Sequence, residues 1–126
     1  MRNLQLTLPS TLLLVLLCSS SAFADADAVK GKQLFNRCSA CHSTEGQNKS
    51  GPPLNGVSGR KAGIAQGYNY SPAIVGSNVT WTDEALDRYL AGPTKMIRGS
   101  RMSVSITREQ DRADLISYLK TLGGAQ

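Results

Sequence analysis

Two thiols and one imidazole stand within five residues, in the run Cys38-Ser39-Ala40-Cys41-His42. Cysteines at this spacing can each add to a vinyl group of one porphyrin, and the two thioethers then lock the macrocycle to the chain. The histidine directly after the second thiol can set a ring nitrogen on the iron. His42 is also the single histidine of the sequence. Three other chemistries fit less well. A thioredoxin-like dithiol follows a strand in a βαβ setting, and no strand pattern precedes Cys38. A structural zinc site needs about four protein ligands, and no Cys or His follows His42. A plain disulfide leaves His42 without a task and a small core unfilled. The pattern is that of covalent attachment of one haem c through Cys38 and Cys41, with His42 as an iron ligand.

A single histidine rules out bis-histidine ligation. The sixth position then falls to a methionine, to another side chain or to nothing. Beyond the amino-terminal stretch the methionines are Met96 and Met102, both in the glycine-containing run 92–102. A thioether also fills irregular gaps in a core, so the residues alone do not choose between the two. They do place the ligand, if it is a methionine, in this run.

The cysteine-histidine motif needs a compartment and a shell. Arg2, the apolar run Leu12 to Leu17 and the small-x-small sequence Ala22-Phe23-Ala24 form an export signal, with cleavage expected after Ala24. The apolar run is far shorter than the ~20 residues that span a bilayer. Cys18 follows Leu17 where a lipoprotein signal would carry a small residue. The domain is therefore expected at 25–126, exported and not embedded in a membrane. The full sequence has 126 residues and a net charge of +5. Removal of 1–24 takes away one charge, that of Arg2, and leaves +4 on 102 residues.

Helices are expected around the motif. Residues 28–37 read as the first, with Leu34 and Phe35 on its apolar side and Gly31 one turn earlier. A glycine inside a helix costs propensity, which is consistent with a second backbone passing close by. Thr82 is an N-cap, and Asp83 and Glu84 suit the positive end of a helix that runs to about Ala91, where Gly92-Pro93 stops it. Thr107 and Gln110 have the spacing of a capping box. The helix they open carries Leu115, Tyr118, Leu119 and Leu122 on one stripe and ends at Gly123-Gly124. Between the first two helices, residues 43–80 hold seven glycines and three prolines and show no sustained period. So long a loop is unexpected in a compact domain unless it has a function, and wrapping a flat cofactor is one. Three helices with few aromatics cannot close a core alone. The haem is expected to be its centre, and the apoprotein to fold poorly.

The chain resembles the mitochondrial-type class I cytochrome c family and its bacterial periplasmic relatives from about Val29 to Leu122. The resemblance is carried by Gly31-Lys32-Gln33-Leu34-Phe35, the cysteine-histidine motif, Gly51-Pro52-Pro53-Leu54, Gly59-Arg60-Lys61-Ala62-Gly63, Tyr70-Ser71, Thr80-Trp81, Tyr89-Leu90, Gly99-Ser100-Arg101-Met102 and the run Asp114 to Leu119. It implies an all-α class I cytochrome c fold, helices and long Gly/Pro-rich loops around one haem. It implies Met102, over Met96, as the second axial ligand, and a carbonyl at Pro52 that accepts from the axial imidazole. It also implies donors to the haem propionates at Arg60, Tyr70, Trp81 and Ser100, and a tyrosine, Tyr89, beside the methionine sulfur. Gly31 and Phe35 match the contact of the first helix with the last, at Leu115 and Tyr118. Arg98 stands where the family has a loop proline, Ile74 where it often has asparagine, and Val104 where it has an aromatic at the haem edge. The chain from Met102 to Leu115 is also one residue shorter than in the mitochondrial proteins.

The function implied is one-electron transfer between membrane and periplasmic redox proteins by a monomeric carrier, not an enzyme. A ring of cations at the haem edge, Arg37, Lys49, Lys95 and Arg101, would draw acidic partners to it. A nucleic-acid partner does not suit the compartment. The alternative is a haem-based sensor that binds NO or CO after the sixth ligand leaves, and Arg98 is the feature that favours it. A dihaem peroxidase would need a second C-x-x-C-H, which the sequence lacks.

Overall fold

An acidic cap starts the first helix. The Asp27 carboxylate accepts from the backbone N–H groups of Val29 and Lys30, two donors that the first turn leaves without partners. From there α1 runs over Ala28–Leu34 and tightens into a 3-10 turn over Phe35–Arg37. The computed structural model describes residues 25–123; the expected export signal at 1–24 and Gly124 lie outside the described residues. The remaining helices are α2 (Pro72–Gly76), α3 (Asp83–Ala91), α4 (Pro93–Met96) and α5 (Glu109–Thr121). No strand occurs among the described residues, and Lys61 and Thr80 form an isolated antiparallel bridge. The fold is the all-α one expected, with two more helices than the sequence reading gave.

Both extra helices begin at a proline. Ser71 accepts from Ile74 N–H and Pro72 follows as the first helical residue. Proline suits that position because its missing N–H would be unpaired there in any case. Gly92 does end α3, as expected, but Pro93 then opens α4 rather than closing the region. Thr82 caps α3 as anticipated, its Oγ1 accepting from Ala85 N–H at 3.2 Å. The capping box at Thr107 does not form. Arg108 occupies the N-cap of α5 with no side-chain bond to the free N–H groups of the first turn. The Gln110 amide is spent instead on Asp114 Oδ1 at 2.9 Å, and the Thr107 carbonyl is taken by Arg112.

α1 crosses α5 at Gly31. A Cβ on that glycine would lie 2.0 Å from the Asp114 carbonyl oxygen and 2.8 Å from Tyr118 Cβ. Phe35 then packs on Tyr118 with ring centroids 5.5 Å apart. Asp114, only 3% exposed, closes the same junction by accepting from Asp27 N–H at 2.8 Å. That bond, helped by Gln110, holds its carboxyl below the usual carboxylate range against the opposing effect of burial. The core is made of thirteen buried apolar residues drawn from the 3-10 turn, α2, α3, α5 and the loops, with Leu115 the most enclosed at 1% exposure.

Candidate haem-binding site

Helical bonds continue past the 3-10 turn. Cys38 N–H and Ser39 N–H donate to Phe35 O, and Cys41 N–H and His42 N–H donate to Cys38 O at 3.0 and 2.9 Å. The winding sets both cysteines and His42 on the wall of a single cavity of about 350 Å³. Both thiols are free, so the disulfide alternative does not form.

His42 is held in one tautomer. Its Nδ1 lies 2.7 Å from the Pro52 carbonyl oxygen, which can only accept, so Nδ1 carries the proton and Nε2 keeps its lone pair for a metal. Burial pushes the imidazole pKa down, and Lys49 adds to that, against the Pro52 bond. The ring is therefore neutral at pH 7, the form that ligates. Its flat face is admitted by Gly51, where a Cβ would lie 2.4 Å from His42 Cε1. No other residue type leaves that space.

Polar groups around the cavity are donors with capacity to spare. Arg60 gives Nη1 to Asn55 O and Nη2 to Pro53 O at 3.1 and 2.9 Å, and its remaining N–H groups are free for a carboxylate. Tyr70 Oη accepts from Ala65 N–H at 3.2 Å, which leaves its own proton to donate. Burial raises the Tyr70 pKa, so the phenol is neutral. Trp81 packs against Tyr89 with ring centroids 4.9 Å apart and the planes tilted by 58°. Tyr89, its pKa also raised by burial, shares a 2.5 Å hydrogen bond with Ser100 Oγ. Ser100 Oγ in turn accepts from Met102 N–H at 3.3 Å. Neutral donors, the Arg60 guanidinium and an apolar floor are surroundings that suit a porphyrin with two propionates.

All ten residues expected at the cofactor line this cavity: Cys38, Cys41, His42, Pro52, Arg60, Tyr70, Trp81, Tyr89, Ser100 and Met102. Met96 does not line it and packs against the core from outside. Of the four cations expected at the edge, Arg37 and Arg101 line the cavity. Arg101 also bonds to Asn69 O, and Lys49 reaches Ser39 O, inside the motif, at 2.7 Å. Lys95 sits away from the lining, in α4, folded over Gly92. Sequence reasoning missed Tyr68, a lining residue whose hydroxyl donates to Ser50 O at 2.7 Å and whose ring meets Tyr70 edge-on. Its place two residues before Tyr70 was the available signal.

Residues 28–123 match the family model described as Cytochrome c. The chain belongs to the cytochrome c family. It is 43% identical over 112 residues to cytochrome c2 of Rhodomicrobium vannielii, an alignment covering 86% of this chain and 90% of the relative. It is 46% identical to cytochrome c2 of Rhodopila globiformis, over 76% of this chain and 93% of that one. Among solved structures, cytochrome cH from Methylobacterium extorquens superimposes with a TM-score of 0.74 at 42% identity, covering 76% of this chain and 99% of that one. This cytochrome therefore carries one covalent haem c, attached at Cys38 and Cys41, and is a single-haem electron carrier. When bound, the haem supplies a one-electron ferric/ferrous couple.

Proposed function

We propose that this cytochrome is exported, loses residues 1–24, and carries single electrons in the periplasm between membrane-bound and soluble redox proteins. The observation behind this reading is the shared lining of one cavity by two thiols, a tautomer-locked imidazole and a thioether, with Arg37 and Arg101 among the same wall residues. The export signal in the sequence and the likeness to bacterial cytochromes c2 support the compartment.

In this reading His42 and Met102 are the axial ligands and the Pro52 carbonyl orients the imidazole. Arg60, Tyr70, Trp81 and Ser100 hold the propionates, and Tyr89 keeps Ser100 in place beside Met102. Sulfur ligation favours the ferrous state and raises the potential. Met102→Ala is expected to keep the haem attached and abolish the sulfur-to-iron charge-transfer band of the ferric spectrum. Met96→Ala is expected to leave that band unchanged. A band lost in the Met96 variant and kept in the Met102 variant would reverse the assignment.

Partners are expected to be acidic around their own redox centres and to dock where Arg37, Lys49 and Arg101 are exposed. Attraction between exposed charges is screened beyond ~8 Å at physiological ionic strength, and rim charges act chiefly on the association rate. The second-order rate of electron transfer to an acidic partner is therefore expected to fall as salt rises. Lys49→Glu is expected to slow it further at low salt without altering the spectrum. A rate that stays flat from low to high salt would show that docking is apolar.

A further inference from the structure

The chain that runs from Met102 to α5 has no regular structure: residues 102–108 form neither helix nor turn. Ser103, Val104, Ser105 and Thr107 are exposed, and Ile106 alone is buried, at 4% exposure. Ordering such a segment costs conformational entropy that contacts must offset. On the near side of Met102 the ties are the 3.3 Å bond to Ser100 Oγ and the Arg101 bond to Asn69 O. The far side is held differently. Ile106 N–H donates to Leu90 O of α3 at 2.8 Å, and one guanidinium takes up the rest. Arg112 of α5 gives Nε to Asp87 Oδ1 of α3 at 2.7 Å, and Nη1 to both Ile106 O at 3.1 Å and Thr107 O at 3.0 Å.

We propose that Arg112 is a positioning residue for the sixth iron ligand, a clamp that ties the carboxyl end of the Met102 loop to α3 and α5 at once. The inference rests on the reading of Met102 as that ligand. A thioether binds iron only while its loop delivers the sulfur, and beside the Ile106 bond to Leu90 O this side chain is what anchors the loop's far end. The planar fork of arginine can serve a carboxylate and two carbonyls together. A lysine ammonium, a point charge on a flexible stem, cannot reproduce that geometry. The Arg112 side chain is 11% exposed and Asp87 40% exposed, so solvent weakens the ionic part of the contact. The bonds to the Ile106 and Thr107 carbonyls make up most of the clamp, and charge alone should not restore it.

The test is thermal melting of the haem-loaded ferric protein, followed at the sulfur-to-iron band and, separately, by far-ultraviolet circular dichroism. In Arg112→Lys the band is expected to vanish at a temperature at least ~5 °C lower relative to the helical midpoint than in the parent protein. Asp87→Asn leaves the carbonyl bonds in place and is expected to give a smaller separation in the same direction. If Arg112→Lys does not accumulate with haem attached, Asp87→Asn decides, with a widened gap supporting the clamp and an unchanged gap overturning it. A purely structural arginine would move both midpoints together, and that outcome, or an unmoved band, refutes the proposal. The parallel Met102→Ala protein separates the two ideas. A band that survives there removes the ligand reading itself, whereas a band lost there but melting with the helices in Arg112→Lys removes only the clamp.

Discussion

With Cys38 and Cys41 both replaced by serine, the chain is expected to lose cooperative tertiary structure in water at 25 °C. Eight of the thirteen buried apolar core residues also line the haem cavity, among them Leu115, Leu119, Trp81 and Phe35. Without the covalent group the protein must either keep that space open or collapse into it. At ~24 cal/mol per Å³ of residual cavity, the 350 Å³ cavity corresponds to about 8 kcal/mol. A domain of this size has about 5–15 kcal/mol of stability in total. Collapse is not available at low cost, because residues of the cavity wall are themselves tied into the loops from Ser43 to Thr80 by hydrogen bonds, such as Arg60 to Pro53 O and Tyr68 to Ser50 O. The expected observations are a weak near-ultraviolet circular dichroism signal, poor amide dispersion in NMR spectra and no sharp thermal transition. A cooperative melt near that of the haem-bound parent would show that side chains alone close this core.

Gly31→Ala is expected to be the most damaging single methyl group that can be added to the scaffold. Its Cβ would fall 2.0 Å from the Asp114 carbonyl oxygen, 2.6 Å from the carbonyl carbon and 2.8 Å from Tyr118 Cβ. Two of those three atoms are backbone, so no rotamer change relieves the contact. The helices must move apart, which loosens the Phe35–Tyr118 packing and the bond from Asp27 N–H to Asp114. A clash with backbone atoms sits at the upper end of overpacking costs, about 3 kcal/mol, and the gain in helix propensity on replacing glycine offsets about 1 kcal/mol of it, so the net loss is about 2 kcal/mol. Chemical denaturation of the haem-loaded variant measures it as a lower midpoint at unchanged slope. A stability equal to the parent's would mean that α1 and α5 can separate without loss, contrary to the geometry.

Much of this protein is written in short stretches of its sequence. The haem attachment needs five consecutive residues, and their helical winding follows from local bonds to Phe35 and Cys38 carbonyls. Thr82 caps α3 through the bond to Ala85 N–H that its position requires. Both are interactions between near neighbours, which a linear reading can see. The starts of α2 and α4 are equally local, yet a proline serves both as a helix stop and as a first helical residue, and at Pro72 and Pro93 the linear chain does not separate the two roles.

Other features depend on partners far along the chain. The Thr107–Gln110 spacing is that of a capping box, yet Gln110 turns to Asp114, whose carboxylate is already committed to Asp27 at the other end of the fold. Met96 and Met102 are alike as residues in one run, and resemblance to the family was needed to favour one. The tertiary structure puts Met102 in the cavity wall and Met96 outside it. No motif in the sequence marks Arg112, and its role rests on α3 bringing Asp87 to it across 25 positions. The chemistry of attachment and the approximate bounds of α1, α3 and α5 are legible in the linear chain, since they are set by bonds within a turn or two. Which thioether lines the cavity, and which charged groups pair across elements, followed from the fold, since those depend on where distant backbones meet.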